Sequence, residues 1–206
     1  IGKTLLRGHE EDLSYRMRAY AAAASDARMN GCEMPVVINS GSGNQGITSS
    51  VPVIVCARAT GRSHEELLRA LAVANLVTIH LKTGIGRLSA YCGAVSAGCG
   101  AAAGLAYLQG GDYDTVAHTV VNTVAMDSGI ICDGAKASCA AKIAAAVDAG
   151  LLGLAMYRSG NQFFGGDGIV KKDNINTSLN CLQICHGSHT RCIVCMKIDW
   201  DIYNFF

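Results

Sequence analysis

Proline, aromatic side chains and charge are all scarce in this chain. Only 2 of its 206 residues are proline, 6% are aromatic and 16% are charged. So few prolines leave long helices free to run without a break. The charges sum to +1, which gives neither the basic surplus expected of a nucleic-acid binder nor a strongly charged face for a membrane surface. The best candidate for a membrane span, Ala90 to Leu108, carries no charge but is mostly Ala, Gly and Ser, a weak driver of lipid insertion. It reads as a buried helix in a protein without a membrane span. The chain opens Ile1-Gly2-Lys3, with neither an initiator methionine nor an apolar signal core, which reads as a start inside a longer protein.

What is abundant is small and apolar. Half of the residues are hydrophobic, which excludes a disordered chain. There are 24 glycines and 10 cysteines, too many thiols to ignore in a chain larger than a disulfide mini-protein.

Periodicity predicts six helices, over about 9–30, 47–59, 64–82, 88–108, 112–126 and 137–156. Ser63 and Glu66 form a capping-box pattern, and Asp112 and Asp114 suit a helix start. Only Pro35 to Asn39 reads as β-prone. The predicted fold is therefore mainly α, a compact domain of Ala/Gly-packed helices with one short β-prone segment ahead of a glycine-rich loop. Residues 1–172 form this domain. Residues 173–206 form a separate, atypical tail holding Cys181, Cys185, His186, His189, Cys192 and Cys195, a density like that of a zinc site but without a standard finger spacing.

Two constellations could carry chemistry. Between the β-prone run and a helix lies Asn39-Ser-Gly-Ser-Gly-Asn-Gln-Gly46. Glycines let backbone amides face a ligand, and a helix N-terminus attracts an anion. Ser40, Gly41, Ser42, Gly43, Asn44 and Gln45 are thus candidates for holding a carboxylate or phosphate, although the loop is neither a Walker nor a dinucleotide motif. A polar turn is the simpler alternative.

The second constellation is Cys92, Cys99, Cys132 and Cys139. Cys132 stands in a loop, and Cys139 begins a helix whose N-terminus favours a thiolate. Thiolates converging from a loop and a helix suit an iron–sulfur cluster or zinc; ordinary buried cysteines are the alternative. His80, Lys82 and Arg87 cluster at a turn, and Asp133 adjoins Cys132, so each is a candidate base or carboxylate partner. His118 reads as structural, His9 and His64 as solvated.

Together, Pro35-Val-Val-Ile-Asn-Ser-Gly-Ser-Gly-Asn-Gln-Gly-Ile47, Leu88-Ser-Ala-Tyr-Cys-Gly93 and Gly129-Ile-Ile-Cys-Asp-Gly-Ala-Lys136 resemble the L-cysteine desulfidase family, which is related to the α domain of iron–sulfur L-serine dehydratases. The resemblance covers residues 1–172. It implies a cytoplasmic lyase of amino-acid catabolism with an oxygen-sensitive [4Fe–4S] cluster. Such an enzyme eliminates hydrogen sulfide from L-cysteine, or water from L-serine, to give pyruvate and ammonia. It assigns Cys92 and Cys132 as cluster ligands. The dehydratase pattern points to Cys139 as the third. The desulfidase pattern uses a Cys-Thr-Glu-Pro motif that is absent here, and Cys99 is the substitute. The 40–46 loop matches the family's substrate-carboxylate loop, with Lys82, His80 and Asp133 as candidate bases. The partner is then a small amino acid, with no nucleic acid and no membrane, and a homodimer is compatible.

Two departures stand out. The family protein is much longer, and after Gly168-Ile-Val-Lys-Lys172 the similarity ends. A shifted reading frame near Asp173 accounts for the tail better than an acquired zinc module, and would make the chain an inactive fragment of an active family. The competing reading is a non-enzymatic helical domain with structural thiols or a zinc-binding tail.

Overall fold

The computed structural model describes residues 1–86, 89–167 and Val170, and in the tail the backbone of two two-residue strands. The described part is mainly helical, as the periodicity predicts. Its helices are α1 (Gly2–Leu6), α2 (Leu13–Met29), α3 (Gly43–Ala59), α4 (His64–Ile85), α5 (Gly93–Leu108), α6 (Tyr113–Asp127) and α7 (Ser138–Arg158). In the tail, β1 (Cys185–His186) pairs antiparallel with β2 (Arg191–Cys192). The remainder of the tail, and with it the zinc-like cysteine pattern and the frame-shift reading, lies outside the described residues.

α5 is the central helix. It packs against α3, α4, α6 and α7, and 14 of its 16 residues are buried. Its small residues make this possible. A Cβ on Gly100 would sit 2.4 Å from the Ala74 carbonyl oxygen of α4, and one on Gly98 would sit 2.6 Å from the Ala146 carbonyl oxygen of α7. The helix backbones therefore approach through glycine, and the Ala-rich composition becomes close packing rather than a lipid-facing surface. Larger side chains fill the remaining space: Val53, Val77, Leu81, Leu105 and Ile143 are fully buried, each contributing about 1.5–3 kcal/mol by leaving water. α7 is long and apolar enough to cross a membrane by composition, yet it packs along α2, α5 and α6.

The capping signals are met. Ser63 and Glu66 close a full capping box on α4, and Asp112 accepts the Thr115 amide at 2.9 Å. The elements depart from the periodicity at several points: α1 has no counterpart among the six predicted helices, and α2 begins at Leu13 rather than near residue 9. α3 begins at Gly43, so Gly43 to Gly46 form its first turn and Pro52 lies in its interior. α4 continues through the expected turn at 83–85. α5 begins only at Gly93. The β-prone run 35–38 is extended but unpaired; only Asn39 bridges, to Ser42.

Candidate functional site

Cys92 and Cys132 are brought side by side by backbone bonds. Tyr91 and Ile131 form an isolated antiparallel bridge. On either side of it, the Cys92 amide donates to the Ile130 carbonyl at 2.9 Å and the Cys132 amide donates to the Ala90 carbonyl at 2.7 Å. Side chains alternate across such a pair, so both thiols lie on the face opposite Tyr91 and Ile131. As diagonal neighbours their Cα atoms are roughly 7–8 Å apart. Cys139, in the first turn of α7, donates its thiol to the Gly134 carbonyl at 3.5 Å.

The three cysteines line one cavity of about 300 Å³. Gly41, Ser42, Asn44 and Gln45 form another wall, Ser89, Tyr91, Gly93 and Ala94 a third, and Lys82 completes it. Four segments remote in sequence thus meet at one space. Cys99 does not join them. It is fully buried inside α5, and burial holds its thiol well above the usual range, with the nearby Asp127 carboxylate adding to the effect.

The glycine loop contains a tight turn. Asn39 and Ser42 exchange two backbone hydrogen bonds, while Ser40 and Gly41 take φ of 49° and 90°, the signature of a type I′ turn. The Asn39 side-chain amide donates to Asn75 Oδ1 on α4 at 2.7 Å, which ties the turn to the core. Of the predicted loop residues, Ser40 faces an adjoining cavity of about 390 Å³, also lined by Lys82. Gly43 faces Arg28. Asn44 reaches the main cavity while its Oδ1 accepts a bond from Arg28. Gln45 is buried against Gly93, and its Oε1 has no hydrogen-bond partner among the described residues.

Three helices begin at this cavity, and none has a side-chain cap: α3 after Ser42, α5 after Cys92 and α7 after Ala137. By contrast Asp12, Ser63 and Asp112 cap α2, α4 and α6. Uncapped amides and the positive ends of three helix dipoles make the cavity hospitable to negative charge.

Lys82 is 3% exposed and has no hydrogen bond or ion pair among the described residues. Burial lowers its pKa, while the Cys132 and Cys92 thiolates pull it back up. Burial likewise raises the Cys92 thiol, an effect opposed by the Ala94 amide and by Lys142 and reinforced by Cys132 and Cys139.

Asp133 and His80, the other candidate bases, are not in the cavity wall. Asp133 is exposed, and its carboxylate is held below the usual range by bonds from Lys142 and Ser138. His80 lies along α4, and His118 is buried against Tyr157. Lys142, which the sequence reading missed, bonds the Cys132 turn. Its signal was its position three residues beyond Cys139, on the same helix face.

Among the described residues, no three His, Cys, Asp or Glu side chains gather as tightly as a single metal ion requires. A cluster asks for less, because each thiolate binds a separate iron corner. Three thiols on one cavity beside three uncapped helix starts are a donor set of the kind such a group takes.

Comparison with known proteins assigns the chain to a family. The family model for the serine dehydratase alpha chain matches residues 1–190. The chain is 62% identical over 180 residues to a UPF0597 protein of Desulfitobacterium hafniense, covering 87% of this chain and 42% of that one. It is 54% identical to a UPF0597 protein of Lachnoclostridium phytofermentans, covering 87% and 43%, and 56% identical to one of Treponema denticola, covering 84% and 41%. It thus spans about two-fifths of the length of these relatives. No solved structure matches. On the match across residues 1–190, the chain belongs to the serine dehydratase alpha chain family.

Proposed function

We propose that this chain is the cluster-binding part of a [4Fe–4S]-dependent lyase that eliminates water from L-serine or hydrogen sulfide from L-cysteine, giving pyruvate and ammonia. The observation that carries the reading is the meeting of Cys92, Cys132 and Cys139 with the glycine turn and Lys82 around one cavity. Cys92, Cys132 and Cys139 would hold the cluster. Bound there, the cluster would supply a Lewis acid toward the substrate's β-substituent.

The chain's own residues supply the rest. The uncapped amides of α3, with Ser42, Asn44 and Gln45, hold the substrate carboxylate and stabilise the charge that grows there as the α C–H bond breaks. Lys82, which lines the cavity and whose pKa burial lowers, accepts the α-proton. The β C–O or C–S bond then breaks and its electron pair leaves with the β-group, which departs as water or hydrogen sulfide after taking up a proton. The enamine that remains takes up water and releases ammonia and pyruvate. A cytoplasmic setting suits an oxygen-sensitive group of this kind. Ser40, Gly41 and Gly43 shape the turn, while Asp133 and His80, outside the cavity wall, are assigned no proton transfer.

The test is anaerobic reconstitution of the chain with iron and sulfide, followed by a pyruvate assay with L-serine and L-cysteine. Cluster uptake with pyruvate formation supports the reading. Zinc uptake alone, or none, supports the non-enzymatic alternative.

A further inference from the structure

The backbone ladder sets Cys132 against Cys92, but among the described residues no backbone hydrogen bond sets it against Cys139. The 131–134 turn bonds toward Ala90, and Cys139 belongs to a different element, α7. The link between them is made by side chains. Lys142 lies one helical turn beyond Cys139, on the same face. Its Nζ donates to the Ile131 carbonyl at 3.0 Å and to Asp133 Oδ1 at 2.5 Å. Those two residues bracket Cys132. The other Asp133 oxygen accepts the Ser138 hydroxyl at 3.0 Å.

We propose that Lys142 is a positioning residue that fixes the spacing between the Cys132 and Cys139 thiols. An exposed ion pair alone contributes little. Here the ammonium also bonds a main-chain carbonyl, and its side chain keeps only 20% of its exposure. It clamps the residue before Cys132 and the residue after it to the helix that carries Cys139. Partners of this kind around metal ligands are worth about 10- to 100-fold in metal affinity.

This inference rests on the cluster reading for its purpose but not for its geometry, and the experiment separates the two. Hydrogen exchange is measured on the metal-free chain for wild type, Lys142→Met and Lys142→Arg, and iron and sulfide loss to a chelator is measured after anaerobic reconstitution. The expected result is exchange about tenfold faster in residues 131–134 of Lys142→Met, with the rest of the chain unchanged. Cluster loss should be about 10- to 100-fold easier, and Lys142→Arg should restore both. Wild-type exchange in Lys142→Met, faster exchange throughout the molecule, or no rescue by Lys142→Arg overturns the proposal. If the wild-type chain takes up no cluster, the lyase reading falls and the exchange result alone decides the positioning role.

Discussion

Lys82 is the base of the proposed reaction, and its burial has consequences for stability that stand apart from that role. The unfolded chain holds the lysine proton up to the ordinary value of 10.5, and the folded chain releases it at lower pH. Between those values the unfolded state binds more protons, so stability rises with pH across that window. Lys82→Met should remove this rise, increase the thermal midpoint near neutral pH and abolish pyruvate formation. A pH series of thermal melts, with the pyruvate assay alongside, checks all three. Asp127 behaves in the opposite sense. Burial raises its pKa from 3.8 to about 6, and its Oδ2 has no hydrogen-bond partner among the described residues. The folded chain therefore binds more protons between about pH 4 and 6, and stability falls as pH rises through that window. Asp127→Asn should flatten the fall and stabilise the protein at neutral pH, as read by the same melts. Cys99 offers a third contrast: Cys99→Ala should leave iron content unchanged, whereas Cys139→Ser should lower it.

At the level of elements, the start of α3 is the tightest joint. A Cβ on Gly46 would fall 1.9 Å from the Val37 carbonyl oxygen, so the extended 34–38 run and the helix pack backbone to backbone. Gly46→Ala should cost about 1–3 kcal/mol through forced displacement, measured by urea unfolding, and should weaken carboxylate binding by shifting the turn. Much of this element structure is legible in the sequence. The capping pair Ser63 and Glu66 is local chemistry, and the structure forms it as written. The start of α3 is less so, because Gly43-Asn-Gln-Gly46 has poor helix propensity and adopts the helix only where Val37 and Arg28 pack against it. The late start of α5 has a similar cause: Tyr91 and Cys92 are taken up by the bridge to 130–132, a long-range pairing that no local pattern announces.

At the scale of the whole molecule, the order of the thiols along the chain says little about where they meet. Cys92 and Cys99, two turns apart, suggest a shared helix face, yet Cys92 precedes α5 and Cys99 is sealed inside it. Cys92, Cys132 and Cys139, the three cysteines the resemblance points to, line one cavity. The resemblance could not rank the bases, because the separation of Lys82 from Asp133 and His80 depends on burial and on the Lys142 clamp. The central claim is that this cavity holds an iron–sulfur cluster on those three cysteines. Iron and acid-labile sulfide, measured per chain after anaerobic reconstitution of wild type and Cys132→Ser, test it most directly. About four of each in wild type, with brown absorbance lost in the variant, is the expected result; equal iron and sulfide in both, or none in wild type, would contradict it.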